Sequence, residues 1–311
     1  MGTGIGFGKT ILFGEHFVVY GLPAIASALG SYTTANIKIV EGSGWTINDQ
    51  RPETPGYKKM KYNEAEQSVK NVINHLRINT NNQRLEITFS GNLIATSGVG
   101  ASAAQCTSLA RALSNSFNLN LDNNKINDAA YEGEKAYHGA PSGIDNTAST
   151  YGGLIWFVKN LKGGKNTMDL LQSPKKIPLV IANSGITAST TEVVADVRRL
   201  KEENPEKFGE IFNEYEKLAH KAKSALLKGD SLTIGSLMNQ NHKLLQDITV
   251  SGKVNDKLVN IALNNGAIGA KVTGTGRGGL VICLAENEKV QKKIAKAVRK
   301  EGYDAWKTMI G

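Results

Sequence analysis

Glu134 and His138 stand four residues apart, so on a helix they share a face, and Asp145 follows beyond the turn His138-Gly139-Ala140-Pro141-Ser142-Gly143. Two carboxylates bracketing a turn suit phosphoryl transfer, which needs oxygen ligands for a metal ion and a residue that takes or orients a hydroxyl proton. Lys9, near the start of the chain, completes such a set by neutralising developing charge. Taken singly, each of these residues is more often structural than catalytic. The run Ser97-Gly98-Val99-Gly100-Ala101-Ser102-Ala103-Ala104 stands directly before a predicted helix. Small residues there let backbone N–H groups approach an anion while the helix N-terminus adds favourable partial charge, and a triphosphate is the natural guest. The same run also reads as a tight strand-to-helix connection with Ser102 in its first turn, and from the loop alone the two readings stand level.

Two other glycine patterns fail on context. Gly8-Lys9-Thr10 resembles the end of a P-loop, but the first glycine of that motif would fall on Thr3, and a strand follows where the motif needs a helix. Gly274-Thr275-Gly276-Arg277-Gly278-Gly279 fits a dinucleotide fingerprint in letters only, because it runs into the apolar strand Leu280-Val281-Ile282-Cys283-Leu284.

The elements that must hold these residues follow from hydrophobic periodicity. Residues 10–13 and 18–20 read as strand, turn, strand, residues 36–40 and 84–90 alternate as further strands, and Cys106, Leu109, Ala110, Leu113 and Phe117 recur at helical spacing. A second helix is predicted over 124–137, a strand over 154–158 after Gly152 and Gly153, a surface turn over 162–166, and a new strand over 178–182. Phe208, Ile211, Phe212, Tyr215, Leu218, Ala219, Ala222, Ala225 and Leu226 form one long amphipathic stripe, read as core packing. The domain boundary is placed between Lys162 and Lys176, giving units of residues 1–168 and 169–311.

Composition narrows the class. A chain of 311 residues with 40% hydrophobic content can bury one large core or two moderate ones. Cys106 and Cys283 match neither a disulfide framework nor a zinc spacing, which favours a reducing, cytoplasmic setting. No stretch reaches the roughly 20 apolar residues of a membrane span and no signal peptide is evident, so a soluble protein is expected. The net charge of +9 is scattered, without a basic stripe interleaved with aromatics, and is read as solvated surface that also attracts an anionic substrate, with no nucleic acid as partner.

Four segments together resemble the GHMP kinases. They are Gly8-Lys9-Thr10-Ile11-Leu12-Phe13-Gly14-Glu15-His16-Phe17-Val18-Val19-Tyr20-Gly21, the loop from Ser97 to Ala104, the run Ala130-Tyr131-Glu132-Gly133-Glu134-Lys135 through His138-Gly139, Pro141-Ser142-Gly143-Ile144-Asp145-Asn146 and Ser149-Thr150-Tyr151-Gly152-Gly153, and Lys271-Val272-Thr273-Gly274-Thr275-Gly276-Arg277-Gly278-Gly279. Order and spacing agree along nearly the whole chain. The resemblance implies an α+β, two-domain fold, with an N-terminal ribosomal-protein-S5-like α/β domain, a ferredoxin-like C-terminal domain and the active site between them. It further implies ATP and Mg²⁺ as cofactors, a small-molecule acceptor and a homodimer. Asp145 is implied as the residue that accepts or orients the acceptor's hydroxyl proton, with Lys9 beside it. Ser102 and Glu134 match the metal ligands, Lys9 and Ser97, Gly98, Val99, Gly100, Ala101, Ser102, Ala103 and Ala104 the ATP contacts, and Glu15, His16, Asp145 and Thr190 the substrate contacts. Gly274, Gly276 and Gly278 form the family's late glycine motif. The third segment resembles those members that phosphorylate mevalonate, implying transfer of the ATP γ-phosphate to its 5-hydroxyl to give 5-phosphomevalonate in isoprenoid biosynthesis.

The chain departs from the family pattern at four places. Ile94 stands for a proline, Ala101 for a serine, Gln105 for a tyrosine, and Thr275 and Arg277 for two small residues of the late motif. None of these removes a residue assigned to chemistry.

Overall fold

The computed structural model describes residues 2–96 and 98–311, so Ser97 lies outside the described residues. The chain divides into two compact units, the first comprising Met1–Lys9 and Ala28–Gly152 and the second Thr10–Ser27 and Gly153–Gly311.

The first unit takes its strands from β1 (Gly2–Phe13), which runs on into the second unit, most of β2 (Ala24–Val40), β3 (Gly44–Asp49) and β4 (Arg84–Gly91). Its helices are α1 (Tyr57–Met60), α2 (Tyr62–His75), α3 (Ala101–Ser116), α4 (Asn123–His138) and α5 (Ile144–Tyr151). β4 pairs antiparallel with β2, from Thr33 opposite Gly91 to Val40 opposite Arg84, and parallel with β3. Leu85, Ile87 and Phe89 alternate inward along β4 and meet Val69, Val72 and Ile73 of α2, Leu109 and Leu113 of α3, and Ile126 and Ala130 of α4. β1 lies so close to α3 that a Cβ on Gly6 would stand 2.2 Å from the Ala104 carbonyl oxygen, and one on Gly4 2.3 Å from that of Ser108. The alternating glycines at the start of the chain are therefore a packing feature, with no side chain tolerated on the face turned to α3.

The second unit adds β5 (Leu154–Val158), β6 (Thr167–Leu171), β7 (Ile177–Asn183), α6 (Thr190–Glu203), α7 (Pro205–Lys228), α8 (Ser231–Asp247), α9 (Lys253–Asn264), β8 (Gly269–Thr273), β9 (Leu280–Leu284), α10 (Glu288–Lys300) and β10 (Asp304–Ile310). β10, β7, β9 and β8 form a four-stranded antiparallel sheet in that order. Val180, Val281 and Cys283 of this sheet pack on Leu258 and Val259 of α9 and on Ile294 and Val298 of α10. β5 pairs with both Ala24–Ser27 of β2 and β6, so the hairpin of β5 and β6 belongs to the second unit. That pairing moves the division to Gly152 from the expected boundary at residue 168, and residues 10–27 join the second unit as well.

One predicted element changes type. Residues 18–20 were read as a strand for their β-branched and aromatic content, but Phe17–Tyr20 is a single 3₁₀ turn closed by Gly21 in the left-handed region. Tertiary packing outweighs propensity here: the Phe17 ring stacks on Tyr215 of α7 at 3.8 Å, and the Tyr215 hydroxyl donates to the Pro23 carbonyl at 2.7 Å. Both cysteines are buried and free, and no helix of the described residues is long and apolar enough to cross a membrane.

Candidate active site

In the first unit, α4 and α5 bring the two carboxylates of the sequence reading together. α4 starts on the side chain of Asp122, which accepts from the Lys125 N–H at 2.9 Å, and it places Glu134 one turn before His138. α5 begins after Gly143, whose φ of 91° favours glycine, and it carries Asp145 in its first turn, where the helix dipole favours a carboxylate. Lys9, only 3% exposed, reaches Asp145 with its Nζ 3.1 Å from Oδ1. Lys9 is also fixed through its backbone, donating to the Val99 carbonyl at 2.7 Å. Gly100, with φ of 69°, must be glycine, since a Cβ there would stand 2.6 Å from Lys9 Cγ. The small-residue loop thus serves as the wall against which the lysine lies.

Glu134 is fully buried, and neither carboxylate oxygen has a hydrogen-bond partner among the described residues. Burial, reinforced by the charge of Asp145, pushes its pKa up to about 8; the Ser102 hydroxyl and Lys9 pull in the other direction, although the hydroxyl does not reach hydrogen-bond geometry. His138 lies with Nε2 3.7 Å from Glu134 Oε2, and burial lowers its pKa. One ligand atom from each of Glu134, His138 and Asp145 lies within 4.8 Å of the others. A buried carboxylate with no donor, beside a second carboxylate and a hydroxyl, is a set of hard oxygen ligands that fits a divalent cation such as Mg²⁺.

In the second unit, Glu15 and Lys271 form a fully buried pair, Nζ to Oε1 at 2.5 Å, with Lys271 also donating to the Val272 carbonyl at 2.7 Å. Burial lowers the Lys271 pKa against the opposing pull of Glu15. The other Glu15 oxygen, Oε2, has no hydrogen-bond partner among the described residues. His16 is held at a φ of 63°, a conformation uncommon outside glycine, and its Nε2 lies 2.8 Å from the Thr275 carbonyl. A carbonyl only accepts, so Nε2 carries the hydrogen and Nδ1 presents a lone pair; Nδ1 is buried without a hydrogen-bond partner among the described residues. Burial lowers the His16 pKa to about 4, which keeps the ring neutral near pH 7. The hydroxyls of Thr190 and Thr275 lie 2.7 Å apart.

The sequence reading therefore finds its residues in two groups, Lys9, Ser102, Glu134 and Asp145 in one unit and Glu15, His16 and Thr190 in the other. It overlooked Lys271 and Thr275 as partners of Glu15, His16 and Thr190, although both lie inside a quoted motif. Arg277, which stands for a small residue in the late glycine motif, keeps about a third of its side chain exposed (32%), donates to the Thr249 carbonyl at 2.9 Å and pairs with Asp196 at the surface. Gly274, Gly276 and Gly278 all have positive φ, and a Cβ on Gly276 would stand 2.3 Å from the Val250 carbonyl oxygen, so this motif is a tight turn into β9.

The family model for the GHMP kinases N terminal domain matches residues 67–153, and that for the GHMP kinases C terminal matches residues 222–304. The mevalonate kinase of Thermococcus sibiricus is 33% identical over 94% of this chain and 91% of its own, and that of Pyrococcus horikoshii is 34% identical over the same shares. Among solved structures, L. major mevalonate kinase in complex with R-mevalonate is 38% identical, with a TM-score of 0.95 covering 100% of this chain and 96% of that one. With both family models matched in order and relatives aligned over nearly the full length, the chain belongs to the GHMP kinase family.

Proposed function

We propose that this chain transfers the γ-phosphate of ATP to the primary 5-hydroxyl of mevalonate, with Mg²⁺, giving 5-phosphomevalonate. The observation that carries the proposal is the Lys9–Asp145 pair at 3.1 Å beside a buried Glu134 that has no donor of its own. Asp145 takes or orients the hydroxyl proton as the hydroxyl oxygen forms its bond to the γ-phosphorus and the bond from that phosphorus to the β–γ bridging oxygen breaks. Lys9 holds Asp145 in place and stabilises negative charge developing on the transferred group. Glu134 and Ser102 would hold the Mg²⁺, which would supply neutralisation of phosphate charge. The loop from Gly98 to Ala104 offers backbone N–H groups and the start of α3 to the phosphates.

Glu15, His16 and Thr190 are assigned to the acceptor. The free Glu15 Oε2 and His16 Nδ1 are both acceptors, and acceptors bind hydroxyl hydrogens and reject a carboxylate, which suits the hydroxyl-bearing part of mevalonate. Relatives named mevalonate kinase and a solved relative holding R-mevalonate support that choice of acceptor.

Asp145→Asn in a coupled ATP assay with mevalonate tests the chemistry. Turnover should fall by at least about a hundredfold; a loss of less than about tenfold, worth only about 1.4 kcal/mol of barrier, would remove Asp145 from the reaction. An acceptor panel of mevalonate, phosphomevalonate, homoserine and galactose tests the substrate, and a preference for any but the first overturns that assignment.

A further inference from the structure

Arg51 is 5% exposed in the first unit and belongs to none of the motifs above. Its guanidinium makes four hydrogen bonds: Nε and Nη2 to the two carboxylate oxygens of Asp49 at 2.9 and 2.7 Å, Nη2 to Gln105 Oε1 at 2.7 Å, and Nη1 to the Ala101 carbonyl at 3.0 Å. The last two acceptors lie in the first turns of α3, Ala101 within the small-residue run and Gln105 directly after it. Gln105 in turn donates to Ser68 Oγ of α2 at 3.2 Å.

The residues that follow Arg51 grip the other end of the same loop. The Ala95 N–H donates to the Pro52 carbonyl at 2.7 Å, and the Thr54 N–H donates to the Ala95 carbonyl at 3.1 Å. One short segment, residues 49–54, thus holds the loop where it enters and where it leaves, and the segment is itself fixed by Lys58, whose Nζ donates to the carbonyls of Asp49 and Arg51 at 3.0 and 2.9 Å. A loop rich in glycine and alanine has few side chains with which to hold its own shape, and backbone N–H groups bind an anion well only when they are already aimed.

From this bracing we infer that Arg51 is a positioning residue for the phosphate loop, acting through Gln105 and the Ala101 carbonyl to set the affinity for the nucleotide triphosphate and leaving the acceptor unaffected. Gln105, a departure from the family pattern, gains its role here as the acceptor that links Arg51 to α3. The planar fork is what the position requires, since a lysine cannot serve Asp49, Gln105 and Ala101 together.

The inference rests on ATP being the phosphoryl donor. Calorimetric titration with the non-hydrolysable analogue AMP-PNP and MgCl₂ reads it independently of the acceptor. Arg51→Lys should weaken analogue binding and raise the KM for ATP by about tenfold, with the KM for mevalonate held within about twofold. Gln105→Leu should move the same quantities in the same direction by about threefold, and Gln105→Glu, which keeps an acceptor facing Arg51, should restore them. Should Arg51→Lys fail to fold, the Gln105 pair decides alone. Analogue affinity unchanged in the folded variants overturns the inference, as does a rise of both KM values in step with a falling unfolding temperature. Wild-type protein that binds no analogue overturns the donor reading instead.

Discussion

Glu134 and Glu15 are both buried carboxylates on the face of it, 0% and 1% exposed, yet they solve the problem of a buried charge in opposite ways. Glu15 carries its counter-ion within the chain, with Lys271 at 2.5 Å. Glu134 has no donor on either oxygen among the described residues and, left to itself, holds its proton up to about pH 8. A paired buried carboxylate is a fixed part of the fold, here leaving one oxygen free to receive a hydrogen bond. An unpaired one is costly to ionise unless a cation comes to it.

The comparison breaks most sharply at Lys271. Lys271→Met should strand an uncompensated Glu15 charge in the core and destabilise the protein by about 3–5 kcal/mol, seen as a large drop in unfolding temperature. Adding Glu15→Gln should recover most of it, and a single variant as stable as wild type would show that this pair does not hold the core together.

Glu134→Gln should do the reverse. The folded pKa of Glu134, about 8, lies above its ordinary 4.5, so its contribution to stability is intact below about pH 4.5 and drains away as pH rises toward and through 8. In EDTA the wild-type protein should therefore lose about 2–3 kcal/mol relative to the Gln variant between pH 5 and pH 8.5, part of the ~1.4 kcal/mol per pKa unit being recovered by relaxation. Thermal unfolding across that range measures it, while turnover of the variant should fall by about a hundredfold. Parallel curves for the two proteins would mean that Glu134 is not the strained carboxylate described above.

The smallest effect is expected at His16. His16→Ala should raise the KM for mevalonate about fivefold and leave that for ATP unchanged, on the loss of one hydrogen bond. Because the ring titrates near pH 4, the ratio of mutant to wild-type KM should be flat from pH 6 to 8; a ratio that changes through pH 6–7 would mean that a charged imidazole does the binding.

Much of this was legible in the sequence, for reasons that differ by element. The apolar runs of β5 and β9 and the stripe of α7 are local patterns, and each lies where its residues predict. β2 was seen only in its last third, because its first half, Ala24 to Gly30, is built of alanine, serine and glycine beside two larger residues and carries no strand period. Residues 18–20 were misread because the Phe17–Tyr215 stack that fixes them joins positions far apart in the chain. The same distance hid the pairing of Glu15 with Lys271, separated by 256 residues, and the bonding of Arg51 to Gln105, separated by 54. Residue types announced which groups could carry charge, and only the fold showed which charges were already answered.

The sequence separation of Glu15 and Lys271 has a consequence for synthesis. Residues 10–27 belong to the second unit, most of which is made from residue 153 onward. A ribosome extends the chain at about 5–20 residues per second, so Glu15 waits on the order of ten seconds or more for its lysine to emerge. Through that interval the early segment has no stable place to fold into, and its apolar side chains Phe13, Phe17 and Val18, all buried in the finished protein, remain exposed. The glycine-rich strand β1 is therefore made well before its continuation can settle, a topology that leaves the nascent chain dependent on slow, long-range closure.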